Sequence, residues 1–218
     1  MCPGNRCRHT AWENSIRLAE QSIAVGHDSA TVRYLLAIAA QAAGRPEAEA
    51  VAHFRRALAF EPDYINAGTQ LALIALQHQR IDEARRLLEA NREAQPLNPG
   101  VHKSLGALCS MLHQLDEAIV HYDTALRLNP NYADAHLELS RIFVAQNRLE
   151  DARRELETCV RLSPWSADQL CELGTLLANL RDYDRARTLL ERALWIRPDF
   201  PAARANLQAL DQLTGRKP

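Results

Sequence analysis

The chain has 218 residues, of which 47% are hydrophobic and 6% aromatic, and 26 basic residues nearly balance 27 acidic ones. A net charge of −1 gives no bulk attraction to nucleic acid or to an anionic membrane. No apolar stretch approaches the roughly 20 residues that a spanning helix needs. The five cysteines lack the spacing of a disulfide framework or a zinc site. We therefore expect a soluble, cytoplasmic protein with no metal, no cofactor, and neither nucleic acid nor membrane as a partner.

The N-terminal segment predicts a lead followed by one helix. Its first letters, MCPGNRCRHTAWENS, lack the apolar core of a signal peptide. Residues 1–9 are expected to form a flexible lead and residues 10–30 an N-terminal half-repeat helix. The stretch ENSIRLAEQSIAV in that helix follows the small and apolar positions of the second helices described next.

The following 170 residues repeat with a period of 34. Prolines recur at that interval, at Pro62, Pro96, Pro130, Pro164 and Pro198. Alanines lie twelve residues before them, at Ala50, Ala84, Ala118, Ala152 and Ala186, and bulky residues eight before, at Phe54, Leu88, Tyr122, Leu156 and Leu190. Proline ends a helix because it lacks the N–H and its ring clashes with the preceding turn. The units are therefore 31–64, 65–98, 99–132, 133–166 and 167–200, each long enough for two helices of about 14 residues.

Small residues and polar turns predict that the two helices of a unit pack as an antiparallel pair. Positions 8, 20 and 27 of the units are mostly small, which lets two helix axes approach closely. The turns AGRPE, HQRID, HQLDE, QNRLE and LRDYD separate the helices, with acidic residues near the helix start. The second unit departs from this pattern, because Gly68 has no side chain at position 4 and the polar pair Asn91-Arg92 removes apolar contact at positions 27 and 28. We predict the weakest joint of the array there.

The C-terminal segment 201–218 predicts a capping helix and a tail. The stretch AARANLQALDQL copies a first helix whose outer face has become polar, so it can cover the apolar flank of the last repeat. The final letters, TGRKP, are typical of a frayed tail.

These features together resemble the tetratricopeptide repeat: a 34-residue helix pair with apolar positions 4, 7, 11 and 24, small positions 8, 20 and 27, and proline at 32. The resemblance covers residues 31–200 without a gap, and VHKSLGALCSMLHQLDEAIVHYDTALRLNP is close to the family consensus. It implies an all-α fold, a right-handed superhelix of stacked pairs whose first helices line a concave groove. Pentatricopeptide RNA-binding repeats, with a period of 35, are the rival that the strict spacing and neutral charge disfavour.

The resemblance also implies which side chains face the groove, since positions 2, 5, 6, 9, 12 and 13 point into it in the family. Carried onto this chain, the partner-binding residues are Leu35, Leu36, Asn66, Thr69, Gln70, Leu73, Lys103, Ser104, Asp134, Glu138, Arg141, Asp168 and Glu172. The groove is then apolar at its N-terminal end and acidic at its C-terminal end. A partner protein or peptide would carry matching apolar and basic residues. The alternative is that the acids are ordinary solvated charges and that the N-terminal helix covers the apolar strip.

No catalytic motif occurs, since the chain lacks a Gly-rich phosphate loop, HExxH, GxSxG and CxxC. The histidines His102 and His136 share position 4, where flat packing is the simplest interpretation. Arginine supplies 24 of the 26 basic residues, which is a bacterial-like composition. Several arginines have a glutamate four residues later in the chain, a spacing that indicates ion pairs on a solvated helix face. We therefore expect a non-enzymatic scaffold. The alternatives are a homo-oligomer built through the same surfaces and a regulatory subunit of an enzyme encoded elsewhere.

Overall fold

A computed structural model describes the backbone of residues 4–215 and the side chains from residue 12 onward. Within that part of the chain there are twelve α-helices and no strand. Their bounds are α1 Gly4–Ala24, α2 Ala30–Ala42, α3 Glu47–Phe60, α4 Ile65–Gln77, α5 Ile81–Ala94, α6 Pro99–Met111, α7 Leu115–Leu128, α8 Ala133–Ala145, α9 Leu149–Leu162, α10 Ala167–Asn179, α11 Tyr183–Ile196 and α12 Pro201–Thr214. None of these helices combines the length and the apolarity that crossing a bilayer requires.

The chain divides into two compact units, unit 1 up to Leu105 and unit 2 from Gly106. In unit 1, consecutive helix packing joins α1 through α5. In unit 2, the same consecutive packing joins α7 through α12, and α10 also contacts α12. This is the all-α helix-pair architecture that the 34-residue period predicted.

The predicted alanine and bulky-residue tracks form the interior of the pairs. The five alanines at position 20 are at most 1% exposed, and the five bulky residues at position 24 are at most 3% exposed. At position 8, a methyl group built on Gly174 would lie 3.0 Å from Leu190 Cγ and 3.2 Å from the carbonyl oxygen of Ala186. The small residue is therefore what lets α10 and α11 approach closely.

The turns inside four of the pairs use a left-handed residue at one fixed position. Gln79, His113, Asn147 and Arg181 have φ between 57° and 64°. In the second pair, the backbone N–H of Arg80 then reaches the carbonyl of Ala75 at 2.8 Å, which satisfies a carbonyl left open by the end of α4.

The first pair differs in register by one residue. Its turn spans residues 43–46 rather than three residues, and its left-handed residue is Gly44, one position earlier than in the other pairs. The helix α2 accordingly begins at Ala30, whereas the predicted boundary was 31. The groove positions of the first repeat therefore move one residue toward the N-terminus, so Leu36 takes an interior position and Leu35 a groove position.

The N-terminal helix packs on α2 as second helices pack on the following first helix elsewhere in the chain. Ile16 of α1 is buried with Leu36, Ala39 and Ala43. The helix begins at Gly4, inside the segment expected to be a flexible lead, and it ends at Ala24 rather than near residue 30. Residues 1–3 of that lead lie outside the described part of the chain. At the other end, α12 runs to Thr214 and closes with the left-handed Gly215, while residues 216–218 are not described.

The two position-4 histidines are hydrogen-bonded rather than simply packed. Nε2 of His102 donates to the carbonyl of Pro96 at 2.8 Å, and Nε2 of His136 donates to that of Pro130 at 3.0 Å. Arg204, at the same position of α12, donates to the carbonyl of Pro198 at 2.7 Å. At these three positions, the side chain at position 4 thus satisfies the carbonyl of the preceding repeat proline, whereas Gly68 and Leu170 at the same position have no side-chain donor.

Candidate functional site: a cleft on the first helices of unit 2

The first helices of unit 2 form a cleft of about 510 Å³ on one face. Its apolar surface comes from Val144 of α8, Cys171 of α10, and Phe200 and Ala202 at the start of α12. These residues occupy the groove register of successive repeats, because first-helix positions 2, 5 and 12 recur on the same face. Burial raises the pKa of the Cys171 thiol, so the thiol is neutral and contributes apolar surface.

Polar groups line the same cleft, and some of them are hydrogen-bonded to one another. Nδ2 of Asn206 donates to Thr175 Oγ1 at 2.7 Å, and Thr175 Oγ1 donates to the carbonyl of Cys171 at 2.8 Å. The amide oxygen of Asn206 and the exposed amide of Asn179 remain as hydrogen-bonding groups at the cleft. An extended or helical segment lying in the cleft would meet an apolar surface with amides beside it, the combination that orients ligands in protein pockets.

The acidic residues predicted for the groove are partly neutralised within the chain. Arg141 donates to Glu138 Oε1 at 2.9 Å and to Glu172 Oε1 at 2.7 Å, which links α8 to α10. Arg197 donates to Asp168 Oδ1 at 2.6 Å. Hydrogen bonding to Glu172 is the main reason that the pKa of Arg141 is raised. Three carboxylates, those of Glu138, Asp168 and Glu172, thus face two guanidinium groups, so these five side chains together carry about one net negative charge at neutral pH.

An aromatic ring closes the C-terminal end of the cleft. The guanidinium carbon of Arg197 lies 3.7 Å from the centre of the Phe200 ring, a cation–π contact. Because the same arginine holds Asp168, the ring, the cation and the carboxylate form one fixed group. Asp168 was predicted from the sequence, but Arg197, Phe200 and Asn206 were missed, because the groove register was not continued into the capping helix. Continuing it would have placed Ala202 and Asn206 at positions 2 and 6.

The structure brings the C-terminal half of the predicted groove together in this cleft or at its rim. Arg141, Asp168 and Glu172 line it directly, Glu138 joins through Arg141, and Asp134 is exposed on the first turn of α8. Ser140 lies beside them and is almost fully buried.

In unit 1, the predicted groove residues differ among themselves in exposure. Leu35 and Leu73 are 56% and 48% exposed, and Asn66 is also exposed, whereas Leu36 is 1% exposed for the register reason given above. Gln70 and Lys103 are half-buried. The hydroxyl of Thr69 accepts from Asn91 at 3.2 Å, and that of Ser104 donates to the carbonyl of Gly100 at 2.9 Å. An apolar surface of Leu35 and Leu73 therefore remains, without Leu36.

Helix hairpins that repeat in tandem along the chain define a class of protein, the all-α repeat scaffold. Family profiles described as "Tetratricopeptide repeat" match residues 47–108 and 111–180, residues 9–65, and residues 168–200. The chain belongs to the tetratricopeptide-repeat family. Such repeats typically serve as non-enzymatic modules for protein interaction.

Individual relatives are distant or match only a short part of the chain. "Cell division cycle protein 27 homolog A" of Arabidopsis thaliana is 40% identical over 53 residues, which is 24% of this chain and 7% of that protein's length. The structure titled "YrrB: a TPR protein with an unusual peptide-binding site" aligns with a TM-score of 0.60 at 20% identity, over 87% of this chain and 97% of the other. MamA of Desulfovibrio magneticus aligns with a TM-score of 0.63 at 17% identity, over 70% and 86%. At these identities, the two structures speak for the fold alone.

Proposed function

We propose that the protein is a scaffold or adaptor that binds a peptide or helix of a partner protein on its first-helix face. The cleft bounded by Val144, Cys171 and Phe200 carries this proposal, because it is an open apolar depression with amide groups beside it. A side chain of the partner that is apolar and of moderate size would fill the depression and remove apolar area from water. A protein with a similar fold has a title that mentions a peptide-binding site, so a peptide is the first class of ligand to test.

Charge gives the partner segment an orientation. Because the face of unit 2 keeps more carboxylates than guanidinium groups, an arginine or lysine of the partner is attracted toward Glu138 and Glu172. These acids are already held by Arg141, so the attraction steers encounter and sets polarity more than it adds affinity. On unit 1, the exposed Leu35 and Leu73 offer apolar contact to the same kind of segment.

Filling the cleft tests the proposal. Ala202 lies in the cleft and Ala205 is exposed on the same helix outside it, so Ala202→Trp and Ala205→Trp add the same bulk to α12. A crosslinking pull-down from the native cell should lose its partner with Ala202→Trp and keep it with Ala205→Trp. With the partner in hand, we expect Ala202→Trp to weaken binding by about tenfold or more, or about 1.4 kcal/mol. Equal binding by the two variants refutes the proposal.

Charge variants test the orientation separately. Replacing Asp134, Glu138, Asp168 and Glu172 with amides should weaken binding at low salt, whereas Arg141→Gln frees two carboxylates and should strengthen it. Both effects should fade as salt is raised, because exposed charges are screened. If neither change alters the affinity, the cleft remains the binding site, but the partner segment does not need a basic residue. Light scattering on the purified protein distinguishes a peptide-binding monomer from a homo-oligomer.

A further inference from the structure

Two tryptophans of unit 2 stand together on the surface away from the cleft. Trp165 lies in the turn between α9 and α10 and is 68% exposed, and Trp195 lies in the last turn of α11 and is 72% exposed. Their ring centres are 6.1 Å apart and the planes are tilted by 40°. Large aromatic side chains normally bury most of their area, so a paired exposed set indicates a surface that contacts something else.

One guanidinium group stands beside the Trp165 ring, and a second arginine lies near it on α9. The guanidinium carbon of Arg192 lies 5.8 Å from the centre of the Trp165 ring, and the same side chain donates to the carbonyl of Pro164 at 2.8 Å. Arg161, on the last turn of α9, is exposed. Neither arginine makes an ion pair among the residues with described side chains. The cation over Trp165 also fixes the ring's orientation, because it is itself held by the proline carbonyl.

A separate apolar depression runs along the second helices. Pro164 and Arg192 line it and connect it to Trp165, whereas neither tryptophan lines it. It measures about 470 Å³ and lies between α9 and α11, with Val160, Pro164 and Leu189 among its apolar residues. Glu157 also lines it but is held by Arg185 at 2.8 Å, so that pair adds no net charge. The remaining charges at the depression are those of Arg161 and Arg192.

We infer that this face, formed by Trp165, Trp195, Arg161, Arg192 and the depression between α9 and α11, is a second docking surface for a protein segment that carries a large apolar side chain flanked by carboxylates. The apolar side chain occupies the depression, the rest of the segment lies on the exposed tryptophan rings beside it, and the carboxylates pair with the two arginines. This chemistry is opposite in sign to that of the first-helix cleft, so the two faces select different segments.

Charge and shape favour an acidic protein segment over nucleic acid. A nucleic acid backbone presents a phosphate every few ångströms and needs several free cations along its path. Here two cations flank one depression, and the carboxylate of Glu157 lies between the helices. Arginine also suits carboxylates well, because its planar fork can donate two parallel hydrogen bonds.

A random-peptide display library panned on the full chain tests this inference. Selection uses the Trp12→Phe protein, in which the only tryptophans are Trp165 and Trp195, with counter-selection on the same chain carrying Trp165→Ser and Trp195→Ser. We expect enrichment of sequences with Phe, Leu or Trp next to Asp or Glu. A synthetic peptide of the enriched type, made without tryptophan, should then change the tryptophan fluorescence on titration.

Arginine variants supply the matched controls. Arg161→Gln and Arg192→Gln should each raise the Kd of that peptide by about fivefold or more. Arg181→Gln, an equal charge change in the turn that precedes α11, should leave the Kd unchanged, as should Ala202→Trp in the cleft. Basic or uncharged enriched sequences, equal loss with Arg181→Gln, or no enrichment over the serine variant would overturn the inference. A concentration-dependent dimer abolished by the serine substitutions would also overturn it, since the occupant would then be a second copy.

Discussion

The contact between Gly68 and Asn91 makes the sharpest prediction about stability. The side chain of Asn91 is 4% exposed, and Nδ2 donates to the carbonyl of Ile65 at 3.3 Å and to Thr69 Oγ1 at 3.2 Å. A methyl group built on Gly68 would overlap Asn91 Oδ1 and lie 3.0 Å from Nδ2 and 3.1 Å from Cγ. The lack of a side chain at Gly68 therefore leaves the space that the amide of Asn91 occupies. The glycine is part of the packing at this joint and not a gap in it.

Two opposing effects set how much Gly68→Ala changes the free energy of unfolding. Glycine inside a helix costs about 1 kcal/mol relative to alanine, so Gly68→Ala would stabilise α4 if the site were empty. Displacing the buried amide breaks its two hydrogen bonds and leaves polar atoms unpaired, which costs about 1–3 kcal/mol. We expect Gly68→Ala alone to destabilise unit 1 by about 1 kcal/mol, and the same change in the Asn91→Ala background to stabilise it by about 1 kcal/mol.

A double-mutant cycle by urea denaturation, followed by circular dichroism, measures the coupling, which should be about 2 kcal/mol. Because repeat arrays can unfold in parts, amide exchange across α4 and α5 should accompany the denaturation curves. Asn91→Ala supplies the reference, since alanine or cysteine fills position 27 in the other four repeats. If Gly68→Ala stabilises the protein equally in both backgrounds, the two residues do not share space and the reasoning fails.

Four further predictions test other contacts. Gly174→Ala should destabilise unit 2 by about 1–3 kcal/mol in chemical denaturation, because the added methyl meets Leu190 and a backbone carbonyl that cannot move aside; a gain in stability would contradict the close packing. His136 Nδ1 donates a hydrogen bond to Glu155 at 2.6 Å, which raises the pKa of His136 above 6.5. The stabilisation from this pair is therefore complete below pH 6.5 and is lost as the pH rises through the raised pKa. The difference in urea midpoint between wild type and His136→Gln should shrink over that range, and a constant difference would argue against the protonated pair. Arg187 of α11 pairs with Asp211 of α12. Asp211→Asn should therefore speed amide exchange in α12 and leave exchange in α8 unchanged. Unchanged exchange in α12 would show that the pair does not hold the helix. Amide exchange should also be faster across residues 66–95 than across residues 103–128, because polar Asn91 replaces apolar contact in the second repeat; equal protection would show that its hydrogen bonds compensate fully.

The sequence was sufficient for the helix pairs because their signals are local and repeated. The prolines end the second helices, and the alanines at position 20 are buried as the period required. The register of the first repeat was misjudged because one extra turn residue, with Pro46 before α3, is invisible to a count made back from Pro62. The predicted groove residues Leu35 and Leu36 thereby separated, one exposed and the other buried.

What the amino-acid sequence determined by itself is the number of helix pairs, their interior, and the family, since each rests on residues three, four or 34 positions apart. Only the tertiary structure decided the chemistry of the faces. Arg141 reaches Glu172 and Arg197 reaches Asp168 across about thirty residues of chain, and Trp165 meets Trp195 in the same way. Such contacts depend on the way in which extended side chains from neighbouring helix pairs share the space between helices. Periodicity fixes the position of a residue on its helix, but it does not fix which residue of the next pair it contacts.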